Sequence, residues 1–192
     1  MAEQATPPEL SPEELEALER RREALSHVRK FGDPVLRTRA REVTVFDDEL
    51  RRQAGRMASL MHDAMGIGLA APQAGVSNRL LVYRVLGEGA VRVLVNPVVD
   101  WASNEEEWME EGCLSLPAVH VDVRRPVAIT LRALDAEGEA VAVEASGLEA
   151  RVIQHEIDHL DGVLILDRAS REQRKEAMRE MRAALAGDDD EA

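Results

Sequence analysis

The chain has 192 residues, 45% of them hydrophobic, and carries 24 Lys and Arg against 37 Asp and Glu, for a net charge of −13. That length suits one compact domain with arms, and the acidity argues against a general nucleic-acid coat protein. No apolar run approaches the ~20 residues a membrane span needs.

The lone cysteine, Cys113, excludes an internal disulfide framework and fits a reducing compartment. The N-terminus lacks the apolar core of a secretion signal and is too acidic for a transit peptide, so a cytoplasmic location is expected.

Residues 1–10 contain Pro7 and Pro8 and no apolar periodicity, and read as a mobile arm. Ser11-Pro12-Glu13-Glu14 has the composition of a capped helix start, with Ser11 and Glu14 as a capping box. That highly charged helix is expected to run to about Arg29. Leu50, Ala54, Met57, Met61 and Ala64 follow helical spacing and predict a second helix over Asp48–Met65, with Gly66 as its stop. Leu80–Leu86 and Val91–Val95 flank Gly87-Glu88-Gly89, the pattern of a hairpin. Trp101–Val123 should add strands interrupted near Cys113. Val127–Leu134 and Ala140–Ala145 around Asp135-Ala136-Glu137-Gly138 predict another hairpin.

Ser146 opens a third helix, with Glu149 as its capping-box partner and Gly162 beyond its end. Ser170 begins a last helix to about Leu185, boxed by Gln173, before an acidic tail from Gly187. Segregated strands and helices indicate an α+β fold. The expected organisation is an N-terminal extension over 1–27, a single compact domain over 28–186 and a solvated tail over 187–192.

Gln154-His155-Glu156-Ile157-Asp158-His159 places an H-E-x-x-H sequence inside the third helix. Residues four apart share a helical face, so His155 and His159 can offer imidazole nitrogens to one ion, with Glu156 beside it as a general base toward water. Two core histidines satisfied by hydrogen bonds are the simpler alternative. Leu148 and Val152 continue the histidine stripe, and Ile153, Ile157 and Leu160 form a second, so the helix should be buried. A third ligand is then needed. No His lies downstream, and Glu172 and Glu176 sit on the charged final helix. Cys113 is the better candidate, giving a Cys/His/His set with a fourth position open. A lone Cys considered by itself is more often a small buried hydrophobe.

Three segments stand in order: Gly66-Ile67-Gly68-Leu69-Ala70-Ala71-Pro72-Gln73, Glu111-Gly112-Cys113-Leu114-Ser115, and Gln154-His155-Glu156-Ile157-Asp158-His159-Leu160. Together they resemble the three signatures of the peptide deformylase family. The likeness runs from about Val28 to Leu185, through Gly32-Asp33-Pro34-Val35-Leu36-Arg37 and Leu166-Asp167-Arg168.

The resemblance implies antiparallel sheets around the metal-binding H-E-x-x-H helix, and hydrolytic removal of formate from N-formylmethionine on nascent polypeptides. It implies ferrous iron held by Cys113, His155 and His159. The donors alone would equally suit zinc, and nickel or cobalt could occupy them in preparations. It implies Glu156 as base, with the Gln73 amide and the Leu114 backbone N–H as oxyanion donors. Ile67, Leu148 and Val152 would line a slot for the methionine side chain. The peptide would add as an extended strand near Ile67–Gly68 and Glu110–Gly112, which puts Glu111 and Gly112 among the substrate-binding residues.

Asp158 points away from the ion by helical geometry and is expected to pair with Arg125 or Arg124. Two departures from the family pattern stand out: Ala118 where many relatives have glycine, and Glu149 where an aliphatic residue is frequent. The alternatives are a different H-E-x-x-H hydrolase or peptidase, and a silent deformylase-like binding module. The basic stripe Arg171, Lys175, Arg179 and Arg182 suggests a ribosome contact, although a solvated, salt-bridged face explains it more simply. No membrane and no specific nucleic acid are expected as partners.

Overall fold

The computed structural model describes residues 10–85 and 89–188. Helix α1 spans Pro12–Ser26 and opens with the expected capping box, since Ser11 accepts from the Glu14 N–H and Glu14 accepts from the Ser11 N–H. It stops before Arg29 because the chain is diverted into tertiary bonds there: the Arg29 N–H donates to the Gln73 carbonyl at 2.7 Å. Helix α2 spans Asp48–Asp63, and Leu50, Ala54, Met57, Met61 and Ala64 are all buried. Its stop differs from expectation. Met65, not Gly66, takes the left-handed position, with φ of 58°, and the Gly66 N–H bonds back to the Met61 carbonyl at 2.8 Å.

Strands β1 (Gly68–Ala70), β2 (Leu80–Tyr83), β3 (Arg92–Ala102), β6 (Ala128–Leu134) and β7 (Ala140–Ser146) form one antiparallel sheet in the order β1-β2-β3-β6-β7. The turn expected at Gly87-Glu88 lies outside the described residues. The hairpin of β6 and β7 is as expected, in register from Ala128↔Ser146 to Leu134↔Ala140. Strand β2 is buried on both faces, which explains its unbroken Leu-Leu-Val-Tyr sequence. Leu80 and Val82 pack with Leu50, Ala54, Met57 and Met61 of α2. Leu81 and Tyr83 face the opposite way, toward Ala150, Val152 and Ile153 of α3 (Gly147–Leu160).

Strands β4 (Glu106–Cys113) and β5 (Leu116–Pro126) form a separate two-stranded sheet. Alternate residues Val119, Val121 and Val123 of β5 are buried with Leu164, Ile165 and Leu166 around the short helix α4 (Ile165–Arg168) and with Ala177 and Met181 of α5 (Arg171–Asp188). Helix α5 is longer than the sequence suggests, and residues 189–192, like residues 1–9, lie outside the description. No helix among the described residues is long and apolar enough to cross a membrane.

Two capping boxes are incomplete. Ser146 precedes α3 but makes no side-chain cap bond. Glu149 instead accepts from the Tyr83 hydroxyl at 2.9 Å and pairs with Arg92 at 3.2 Å, which gives this carboxylate a structural place beside the sheet. Ser170 does cap α5, but the Gln173 side chain reaches Asp122 at 2.8 Å. At the end of α3, Gly162 (φ 75°) is required, because a Cβ there would lie 2.8 Å from the Arg37 carbonyl oxygen.

Ala118 is exposed and adopts φ of 59°, a conformation that costs a residue with a Cβ ~1–2 kcal/mol and glycine nothing. Part of that gain is lost to glycine's greater freedom in the unfolded chain. Ala118→Gly is therefore expected to stabilise the protein by about 0.5–1 kcal/mol. Urea unfolding should show a higher midpoint at unchanged slope.

Candidate metal centre

Cys113 ends β4, and Leu114-Ser115 is the two-residue turn that joins it to β5. A register shift between Gly112 and Cys113 pairs Cys113 with Leu116. His155, Glu156 and His159 lie on α3, which is buried as its two apolar stripes predict. One donor atom from each of Cys113, His155 and His159 lies within 4.8 Å of the others. Cys113 Sγ is 3.2 Å from His159 Nε2.

His155 Nδ1 stands 3.0 Å from Glu111 Oε2. Its N–H donates to that carboxylate, which leaves Nε2 as the nitrogen for an ion. Glu111 is itself buried and also accepts from Arg125 at 2.6 and 2.9 Å and from Arg151 at 2.7 Å. Arg125 continues to Asp158 at 2.9 Å, as the sequence suggested, and Arg168 closes on the same carboxylate. Arg124 pairs instead with Glu106. Burial pushes the Glu111 carboxyl up, but hydrogen bonds from Arg125 and His155 hold it well below the usual carboxylate range. Burial also pushes the Cys113 thiol up, yet the charges and hydrogen bonds of His159 and His155 bring it well below an ordinary thiol. Burial raises Glu156, and the two imidazoles only partly oppose it.

The donor set fits a divalent ion. A thiolate and two imidazoles converge, one imidazole oriented by a carboxylate, which is the usual outer support of a ligating histidine. Glu156 Oε2, buried beside them, has no hydrogen-bond partner among the described residues.

Gln73 is buried, and its amide orientation is fixed from both ends. The Ala70 N–H donates to Gln73 Oε1 at 2.8 Å, which turns Nε2 toward Ser115 Oγ at 3.3 Å and Cys113 Sγ at 3.7 Å. Behind these groups runs a strap formed by residues 29–31. The Arg29 N–H bonds the Gln73 carbonyl at 2.7 Å, the Phe31 N–H bonds the Ser115 carbonyl at 2.9 Å, and Lys30 Nζ bonds the Leu114 carbonyl at 3.1 Å. Gly68 on β1 makes the closest approach to the helix: a Cβ there would stand 2.4 Å from Glu156 Oε1.

A cavity of about 580 Å³ opens onto this cluster. Its walls include Ile67, Gly68, Gln73, Glu111, Gly112, Cys113, Leu114, Leu148, Val152, His155 and Glu156, so every one of these sequence-predicted positions borders the same space. His159 lies behind them and is almost fully buried. A larger groove of about 980 Å³, between α1 and α2, contains none of them. The Glu111 carboxylate has a further role beyond the one expected from the sequence, since it is committed to two arginines and a histidine. Arg151 carries a legible signal, an arginine inside an apolar helix four residues before His155. Lys30 carries no such signal, since its partner is a backbone carbonyl 84 residues away.

A thiolate, two imidazoles and a buried carboxylate at one cavity define a metal-dependent hydrolase site. The family model described as polypeptide deformylase matches residues 25–175. The peptide deformylase of Acidothermus cellulolyticus is 50% identical over 161 residues, covering 84% of this chain and 88% of the relative. That of Natranaerobius thermophilus is 46% identical over 153 residues, 80% of this chain and 97% of the relative. Among solved structures, a peptide deformylase from Synechococcus elongatus in complex with actinonin superposes with a TM-score of 0.77 at 41% identity, over 79% of this chain and 85% of that one. A peptide deformylase from Legionella pneumophila superposes with a TM-score of 0.79 at 38% identity, over 83% and 94%. The chain belongs to the peptide deformylase family, a family of metal-dependent enzymes.

Removing Glu111 would leave Arg151 buried without a carboxylate partner and Arg125 with Asp158 alone. Glu111→Ala is expected to cost about 3–5 kcal/mol of stability, the usual penalty for breaking a buried ion pair from one side. Urea unfolding at neutral pH measures it.

Proposed function

We propose that the protein removes the formyl group from N-formylmethionine at the start of nascent polypeptides, through residues 28–186 as its catalytic unit. The observation that carries this reading is the convergence of Cys113, His155 and His159 within 4.8 Å, with Gln73 Nε2 at 3.7 Å from Cys113 Sγ. These three residues would hold one ion. Ferrous iron is the proposed ion, and zinc, nickel or cobalt could be found there in preparations. A divalent ion so held supplies Lewis acidity, which makes water more acidic and a formyl carbonyl more electrophilic.

Glu156 takes a proton from the attacking water and passes it to the leaving amine. Water oxygen bonds to the formyl carbon, the C–N bond breaks, and formate and a free amino terminus leave. Burial keeps the Glu156 carboxyl above its ordinary range, which suits a group that must both accept and return a proton. The Gln73 amide and the Leu114 N–H donate to the formyl oxygen as charge builds on it. The fixed Gln73 orientation supports this role, because no reorganisation is needed at the moment of reaction.

Ile67, Leu148 and Val152 give the methionine side chain an apolar wall. The peptide lies as an added strand between β1, an edge strand, and Glu110–Gly112 of β4. The protein acts in the cytoplasm, on chains leaving the ribosome. Arg171, Lys175, Arg179 and Arg182 are exposed along α5, whose Ala177 and Met181 are buried, and this stripe suits a transient ribosome contact. Co-sedimentation with ribosomes should weaken when the four are neutralised.

Formate release from a formyl-methionyl tripeptide by anaerobic, iron-loaded protein tests the main reading. Glu156→Ala is expected to lose on the order of 10²–10⁴-fold in kcat, and Gln73→Leu about 10²–10³-fold. Gly68→Ala should forfeit a comparable factor to Glu156→Ala while keeping metal content and thermal stability near the parent's, because the added methyl displaces a carboxylate and not the backbone. A parent that binds metal and releases no formate would refute the reading.

A further inference from the structure

We infer that α1 forms one wall of the substrate channel, and that Arg21 on it favours formylated peptides with an acidic side chain soon after the first residue. This inference rests on the deformylase reading of the site.

The cavity that holds Cys113, His155 and Glu156 is also lined by Arg21 and Leu25 of α1. The family match begins at residue 25, so Arg21 lies outside the matched residues. Arg21 is exposed and makes no ion pair with any described residue, whereas Arg20 beside it pairs with Glu16. Lys30 lines the same cavity and carries the same sign of charge. The Lys30 ammonium is lowered first by burial, Cys113 opposes that shift, and Arg21 adds to it. Lys30 in turn bonds the carbonyl of Leu114, in the turn beside the catalytic cluster.

The charged groups facing the channel are therefore polarised. Arg21 and Lys30 stand on the α1 side, while Glu110 is exposed on β4. Glu111 and Arg151 neutralise each other between them. His120 lines the same cavity across from Gly112. A chain of net charge −13 repels an acidic peptide at long range. An unpaired guanidinium at the mouth reverses that sign locally, where the residues after methionine must pass. Exposed charge pairs of this kind alter affinity by about two- to fivefold at low salt, and added salt screens them.

The test uses the full chain loaded with iron and four peptides: formyl-Met-Asp-Ala, formyl-Met-Ala-Asp and their Lys counterparts, all amidated so that no terminal carboxylate mimics the acidic side chain. The parent is expected to show kcat/KM for an Asp peptide about two- to fivefold above its Lys counterpart at one of the two positions, falling toward unity in high salt. Arg21→Glu should invert the ratio. Arg20→Glu, the same charge change one residue away in the groove between α1 and α2, should leave it. A ratio of one in the parent, or a preference that survives Arg21→Glu, overturns the inference while the deformylase reading stands. Failure of the parent to turn over any of the four overturns that reading, and this inference with it.

Discussion

Glu111 brings a full negative charge into the interior, and the site is arranged around neutralising it. Its oxygens receive Arg125 from β5, and Arg151 and His155 from α3, while its own strand, β4, ends two residues later in Cys113. One carboxylate thus ties together both strands of the small sheet and the central helix. The same contact that compensates a buried charge fixes the orientation of an imidazole. Arg125 then extends the network to Asp158, and Arg168 reaches that residue from α4. An ionic network of this kind is poor as a source of net stability, because desolvation consumes most of the Coulombic gain. What it supplies is position, since each partner has a single satisfactory place.

The apolar layers supply the stability that the network does not. Strand β2 alternates its side chains between α2 and α3, so the five-stranded sheet is clamped on both faces. The edge strand β1 lies against α3 closely enough that a Cβ at Gly68 would displace the Glu156 carboxylate. Cys113 is held at a strand end, His155 and His159 on a buried helix, and Gln73 in a short helical turn whose N-cap anchors its side chain. Groups on such elements keep their geometry without reorganising.

Much of this was legible in the sequence wherever periodicity or residue chemistry is local. The spacing from Leu50 to Ala64 defined the buried face of α2, and the separation of His155 from His159 placed both on one side of α3. The pairing of Asp158 with Arg125 followed from helical geometry and an apolar setting. Misreadings arose where a tertiary contact outbid a local one. Glu149 has the right spacing for a capping box, yet Tyr83 and Arg92 are nearer competitors for its charge. Met65 occupies a left-handed position that composition assigns to Gly66. Arg29 leaves the helix because the Gln73 carbonyl accepts its N–H. Nothing in the spacing of Glu111 announced its two arginines from other elements.

The strap of residues 29–31 has a dynamic consequence. Its three bonds reach both the turn that carries Gln73 and the turn that carries Leu114 and Ser115. Neither turn can loosen without releasing the strap, and release of the strap unfastens the other turn. The two halves of the site therefore belong to one cooperative unit, and they open together or not at all. The amide protons of Arg29 and Phe31, which take no part in the chemistry themselves, should exchange with solvent water at a common rate. That rate reports how often the whole centre comes apart.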